Sequence, residues 1–243
     1  MIGKVDKYYR KAGIHPLNFK CKYYAECKSK SAKFTEAKTS YIGYEYAKAI
    51  LPRLLILSLD AFNSPSDPKQ RTLKAVRKNV VVKGPPKKKN NHWYRTYETA
   101  WILLNKLYKY KFNSELCLED VSPYFSHVNS VKCCSHRINH KQADKKLFIN
   151  CREYIPAEIE LLEPDIIVTQ GKLARKAIED KFEIVKKQKS DINRYPCGYE
   201  ILKINWKNVF VFHTFHPSNY ANFHNQKNKY FEKFAQLIYN YFA

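Results

Sequence analysis

The chain has 243 residues and carries 44 Lys and Arg against 22 Asp and Glu, a formal net charge of +22. At 44% hydrophobic residues it can bury a real core as one compact domain, and no run of about 18 apolar residues points to a membrane helix. The charge excludes a neutral or acidic surface and points to a polyanion, nucleic acid first, because neutralising phosphates releases counterions whatever the base sequence. A codon bias towards Lys would explain many of the lysines but not the shortage of balancing acids.

Residues 1–40 are basic and aromatic with little periodicity. They read as a basic N-terminal extension of short helical pieces and loop. The opening MIGKVDKYYRKAGIHP lacks the apolar centre of a secretory signal, so a cytoplasmic protein is expected. YIGYEYAKAI (41–50) predicts a helix that stops before Pro52. RLLILSL (53–59) is a short apolar run bounded by Pro52 and Asp60, of the length of a buried parallel strand. Residues 63–91 are polar and charged, and 81–91, with Gly-Pro-Pro and three lysines, read as an exposed loop. A helix is predicted over 94–110, a strand over 125–131, a helix over 147–163 with Pro156 inside it, a strand over 164–170, a helix over 171–182, a strand over 208–214 and a final helix over 229–242.

Alternating strands and helices predict an α/β domain: a three-layer α/β/α sandwich around a central, mainly parallel four-stranded sheet. In such sheets the ligand crevice lies at the carboxyl ends of the strands. There the sequence places Asp60-Ala61-Phe62, then Asn129 with Lys132 and Cys133 behind it, then Gln170-Gly171, then His216-Pro217-Ser218.

Four patches, in this order, resemble the uracil-DNA glycosylase superfamily over most of residues 50–242. SLDAF (58–62) falls where that family has its water-activating motif, with Asp60 on the aspartate of its best-known version and Phe62 on the aromatic. VNSVKC (128–133) is similar to the asparagine strand and Lys-Cys of the family's iron–sulfur branch. EIELLEPDIIVTQGKLARKAI (158–178) is similar to its helix, Pro-initiated strand and Gly-x-x-Ala helix start. HPSNYANF (216–223) matches the His-Pro-Ser motif and the loop after it.

The resemblance implies a monofunctional DNA glycosylase that flips a pyrimidine out of DNA and hydrolyses its N-glycosidic bond, leaving an abasic site. The reaction passes through an oxocarbenium-like sugar while negative charge gathers on the departing base. Asp60 suits stabilising the sugar and orienting water, and His216, as a neutral imidazole, suits donating to the base oxygen. Asn129 offers donor and acceptor to the base edge, Phe62 a stacking face, and Ser218 a substrate contact on the turn towards the phosphates. Each has a plainer alternative. Asp60 can cap a turn, Asn129 can bond backbone, Phe62 can be core, and His216 can be a satisfied strand-end histidine. Asp67 competes with Asp60 as the acid. Lys87, Lys88 and Lys89 are expected to contact phosphate, against the alternative of a solvated charge run. Tyr220 and Phe223 are expected to wedge into DNA, against packing under the C-terminal helix. Arg95 and Arg137 are clamp candidates that the sequence does not place. No lysine stands out as a Schiff-base nucleophile.

Seven cysteines sit at 21, 27, 117, 133, 134, 151 and 197, and disulfides are not expected in a cytoplasmic protein. The resemblance implies a [4Fe–4S] cluster on Cys21, Cys27, Cys133 and Cys151, as a structural staple with no part in the chemistry. Zinc or plain thiols are the alternatives. Five residues separate Cys21 from Cys27 where the family usually has two, and Cys134 competes with Cys133. Cys117 and Cys197 look like bystanders. SLDAFNSPSD also lacks the glycines of the iron–sulfur branch. That leaves the base open between uracil and a bulkier pyrimidine, such as the hypermodified cytosine of phage DNA, for which the small Ala61 leaves room; the latter would make this an antiviral defence enzyme instead of a repair enzyme. The expected partner is DNA, single- or double-stranded, with no membrane and a monomeric protein. The rival of another class is a non-catalytic DNA-binding module of the same fold; a metal-dependent nuclease is disfavoured by scattered acids.

Overall fold

A computed structural model of the chain describes residues 1–31, 33–59, 65–89, 91–136, 143–188 and 198–243. In chain order the elements are helix α1 (Ile2–Lys11), helix α2 (Tyr24–Ser29), strands β1 (Lys33–Thr35) and β2 (Tyr41–Ile42), α3 (Tyr44–Lys48), β3 (Leu54–Ser58), α4 (Leu73–Lys83) and α5 (His92–Phe112). Then come β4 (Phe125–Asn129), β5 (Cys134–His136), α6 (Lys145–Cys151), α7 (Ile155–Leu162), β6 (Ile166–Gln170) and α8 (Lys172–Lys176). The chain closes with β7 (Glu183–Gln188), β8 (Tyr199–Ile204), β9 (Lys207–Thr214), α9 (Tyr220–Gln226) and α10 (Glu232–Phe242).

The main sheet has the order β2-β4-β3-β6-β9-β8-β7. Its heart, β4-β3-β6-β9, is parallel; β2 is antiparallel on one flank and β8-β7 on the other. The expected four strands are therefore the centre of a seven-stranded mixed sheet. The added strands carry weak signals: β2 has two residues, and all six of β7 are exposed, so no face is marked by apolar alternation. β1 and β5 pair separately.

Alternating strand residues feed two cores. Leu55, Leu57, Ile167, Val209 and Val211 pack with Val5, Tyr9, Ile155, Ile159 and Leu162 of α1 and α7. Leu54, Ile56, Ile166, Val168, Phe210 and Phe212 pack with Leu103, Leu104, Phe234 and Ile238 of α5 and α10. This gives the three expected layers. Residues 1–40 are not a loose addition: Val5, Tyr9 and Ile14 are buried, and the Tyr8 hydroxyl donates to the Tyr154 carbonyl at 2.8 Å.

Five further boundaries differ from the sequence reading. The helix expected over 41–50 is strand β2 followed by the short α3. The helix expected over 147–163 is two, α6 and α7, and Pro156 sits in the first turn of α7, where its missing N–H costs nothing. The polar stretch 63–91 contains α4, whose end at Gly84 has φ 58°, so the exposed loop begins at 84 instead of 81. α8 is only Lys172–Lys176. The segment after His-Pro-Ser, expected as a loop over 219–225, is α9, which runs through a π-turn at Lys227–Phe231 into α10.

Candidate active site

The parallel registers bring four strand ends into one row. Asn129 lies opposite Ser58, the Ser58 hydroxyl donates to Gln170 Oε1 at 2.6 Å, and Gln170 lies opposite Thr214. His127 Nε2 meets Ser58 Oγ at 2.9 Å, and the Thr96 hydroxyl reaches Gln170 Oε1 at 3.2 Å. The exit of β3 is tied to the loop after Asn129: the Ser130 and Val131 N–H groups donate to the Ser58 and Leu59 carbonyls at 2.9 and 3.0 Å. Asp60, Ala61 and Phe62 follow Leu59 directly and lie outside the described residues.

The exit of β9 is clamped as firmly. Gln226 of α9 is buried; its Oε1 accepts from the Phe215 N–H at 2.7 Å and its Nε2 donates to the His213 carbonyl at 2.9 Å. One side chain thus continues the hydrogen bonding that the strand loses at its end. Gly171 stands at φ +99°, and a Cβ there would meet His216 Cβ at 3.1 Å. Glycine is what lets the β6 exit and the histidine come together.

His216 is half-buried. Its Nδ1 accepts from the Ser218 N–H at 3.2 Å and lies 2.6 Å from the Ser218 hydroxyl. A backbone N–H can only donate, so Nδ1 is an acceptor and the neutral ring carries its proton on Nε2. Burial, and then the neighbouring His92, push its pKa down to about 4. The His92 ring stacks on it, with centroids 6.2 Å apart and planes at 25°. Arg95, one turn along α5, is buried; its Nη1 donates to the Pro217 carbonyl, and its guanidinium lies 4.4 Å from the Tyr220 ring centre. Arg95 is therefore a clamp on the protein's own turn. The sequence reading named Arg95 without placing it and missed His92 and Gln226. The i, i+3 spacing of His92 and Arg95 at a helix start was the available signal.

The other expected residues divide. Asn129 is 8% exposed, at the end of β4. Ser218 is exposed beside His216. Asp67 caps the turn Pro68–Arg71, accepting from the Lys69 N–H at 2.9 Å. Lys87, Lys88 and Lys89 are exposed on the loop before α5. Tyr220 is 58% exposed, whereas Phe223 is 2% exposed and packs edge-on against Phe231 at 5.5 Å. Phe223 thus takes the alternative position, packed under the C-terminal helices and not projecting as a wedge. Arg137 and Cys197 lie outside the described residues.

Cys21, Cys27, Cys133 and Cys151 line one enclosed cavity together with Lys132, Asn150 and Tyr154. Cys134 is buried but does not line it. The Lys132 N–H donates to Cys151 Sγ and the Asn150 amide to Cys27 Sγ, each at 3.4 Å, and Cys21 Sγ lies 3.5 Å from the Tyr154 hydroxyl. Burial raises the thiol pKa of Cys27 and Cys133 and pushes that of Cys151 up to about 12. Such thiols ionise when a metal is there to stabilise the thiolate. Four converging cysteines with N–H donors to sulfur fit an iron–sulfur cluster by donor chemistry. The space between them is about 10 Å³, near one water, so the fit is one of donor chemistry alone and not of a preformed void. Among the described residues, no three of His, Cys, Asp or Glu are grouped so as to hold a single metal ion.

Behind the cavity lies a buried ion pair. Lys132 Nζ contacts Glu158 Oε2, and Glu158 Oε1 accepts from the Tyr9 hydroxyl and, at 2.5 Å, from Ser40 Oγ. The pair joins the residue before Cys133 to α7 and α1.

Among the described residues no helix is long and apolar enough to cross a membrane. A family model described as the uracil DNA glycosylase superfamily matches residues 66–238. No curated protein matches the chain.

Proposed function

Because the chain belongs to the uracil DNA glycosylase superfamily, we propose that it is a monofunctional DNA glycosylase acting on uracil or a modified pyrimidine at the carboxyl edge of its parallel strands. Asn129 and His216 fall within the matched residues, whereas Asp60, Phe62, Cys21 and Cys27 precede them.

The observation that carries this reading is the tautomer of His216. With Nδ1 taken by Ser218, the ring's donor is Nε2–H, and with a pKa near 4 the ring is neutral at physiological pH. A neutral donor stabilises negative charge gathering on a departing base oxygen without surrendering its proton. Asn129 supplies a second donor and an acceptor to the base edge. Asp60 supplies the carboxylate that stabilises the cationic sugar and orients water. Asp67 is committed to its cap, which favours Asp60 for that role. Phe62 stacks on the base. None of these residues forms a covalent link to the sugar, so the product is an intact strand with an abasic site.

A [4Fe–4S] cluster on Cys21, Cys27, Cys133 and Cys151 would supply cross-linking of α2, the loop after β4 and α6. The lysines of the 84–89 loop and the net charge of +22 support DNA as the partner.

The test is incubation with oligonucleotides carrying uracil, hydroxymethylcytosine or glucosylated hydroxymethylcytosine, followed by alkaline cleavage. Cleavage at the modified position of at least one supports the reading and identifies the base. No abasic product from any would leave a DNA-binding module of the same fold.

A further inference from the structure

Beside the His216 turn, between the first turns of α5 and helix α9, lies a cleft of about 330 Å³, the lower end of small-ligand sites. Lys89, Tyr94, Arg95, Tyr220, Phe223, His224 and Lys227 form its walls, and Glu98 is the one acid among them. Glu98 pairs with Lys227 at 3.0 Å, so Lys89 and Arg95 set the sign of the cleft. Arg95 is held in place by the Pro217 carbonyl and the Tyr220 ring. The Tyr220 and His224 rings lie at 5.6 Å and 14°, making a nearly parallel aromatic wall.

Fixed positive charge beside a partly exposed aromatic wall is the chemistry that binds an unpaired nucleotide: phosphate on the cation, base against the rings. A base held in a duplex cannot enter a concave cleft. Arg95 joins the cleft to Pro217, the residue after His216, so the site beside it is that of the neighbouring nucleotide. We propose that this cleft is a second nucleotide subsite, which takes the unpaired nucleotide flanking the excised one, and that the protein therefore engages single-stranded DNA around its target. The position of the excised base rests on the glycosylase reading; the affinity of the cleft does not.

Fluorescence anisotropy with labelled oligothymidine and its duplex, neither containing an excisable base, tests this across a salt series. Lys89 and Tyr220 are exposed, so Lys89→Ala and Tyr220→Ala should fold, which circular dichroism checks. Single-strand affinity is expected to fall about tenfold in the double variant, with a smaller fall on the duplex. Lys89→Ala alone should make the slope of log K against log salt less negative by about 0.7, whereas Tyr220→Ala alone should leave the slope unchanged. Removing equal charge from α1, by Lys7→Ala, should change neither. Unchanged single-strand affinity in the double variant, or equal losses on single strand and duplex, would overturn the subsite. Because no base is excised, these results stand apart from the abasic-site assay: a protein with no glycosylase activity can still pass, and an active one can still fail.

Discussion

The backbone N–H of Ser218 points at Nδ1 of His216 from 3.2 Å, and this one contact sets which nitrogen of the ring carries the proton. Burial and His92 hold the pKa near 4 instead of 6.5. Excision should therefore be independent of His216 titration from pH 8 to 5 and fall as pH approaches 4, in single-turnover rates against pH. A break near 6.5 in the parent, absent in His216→Gln, would contradict this. The lowered pKa also sets a sign for stability. The unfolded chain protonates this histidine first, so the shift costs stability as pH falls from about 6.5 to about 4. Ser218→Ala keeps the backbone donor and should cost excision less than tenfold, against a loss of about 10²–10³ for His216→Ala.

The cavity geometry separates the adjacent cysteines. On the proposed cluster, Cys133→Ser should abolish bound iron and sulfide in protein purified without air, and Cys134→Ser should leave both near four per chain, by elemental analysis and visible absorbance. Equal loss in both variants would contradict the assignment of Cys133 over Cys134.

The Lys132–Glu158 pair is fully buried, so removing one partner strands a charge. Glu158→Gln should cost about 3–5 kcal/mol in denaturant unfolding. Lys132→Met together with Glu158→Leu should recover much of that loss, because both charges leave together. A loss below about 1 kcal/mol for Glu158→Gln would show the pair to be hydrated.

Asn205 and Trp206 form the two-residue turn between β8 and β9, at φ 48° and 69°, and Trp206 is 92% exposed. Such a turn favours glycine at its second position. Trp206→Gly should stabilise the protein by about 0.5–1 kcal/mol in thermal unfolding, since it relieves a left-handed residue that packs on nothing.

What the sequence revealed follows from what each segment must satisfy. LLILS and IIVTQ are buried on both faces and so read as unbroken apolar runs, and the order of their ends placed the edge that holds Asn129, Gln170 and His216. β7 escaped because EIVKKQ faces solvent throughout. α9 escaped because Pro217 and Asn219 mark a turn, and the contacts that hold YANFHNQ, notably Gln226 against His213 and Phe215, reach back across that turn. The neighbours of His216 were invisible because His92 and Arg95 come to it across more than a hundred residues. Phe223 shows the limit of composition, since an aromatic near a functional turn looks alike whether it faces DNA or Phe231.

Mass spectrometry of the base released from DNA decides whether Asp60 and His216 carry base excision, comparing the parent protein with Asp60→Asn and His216→Ala. The parent should release a free pyrimidine, each variant should lose about 10²-fold or more, and the strand should stay unbroken before alkali. Release that survives both substitutions at the parent rate would contradict those roles, whichever base is released.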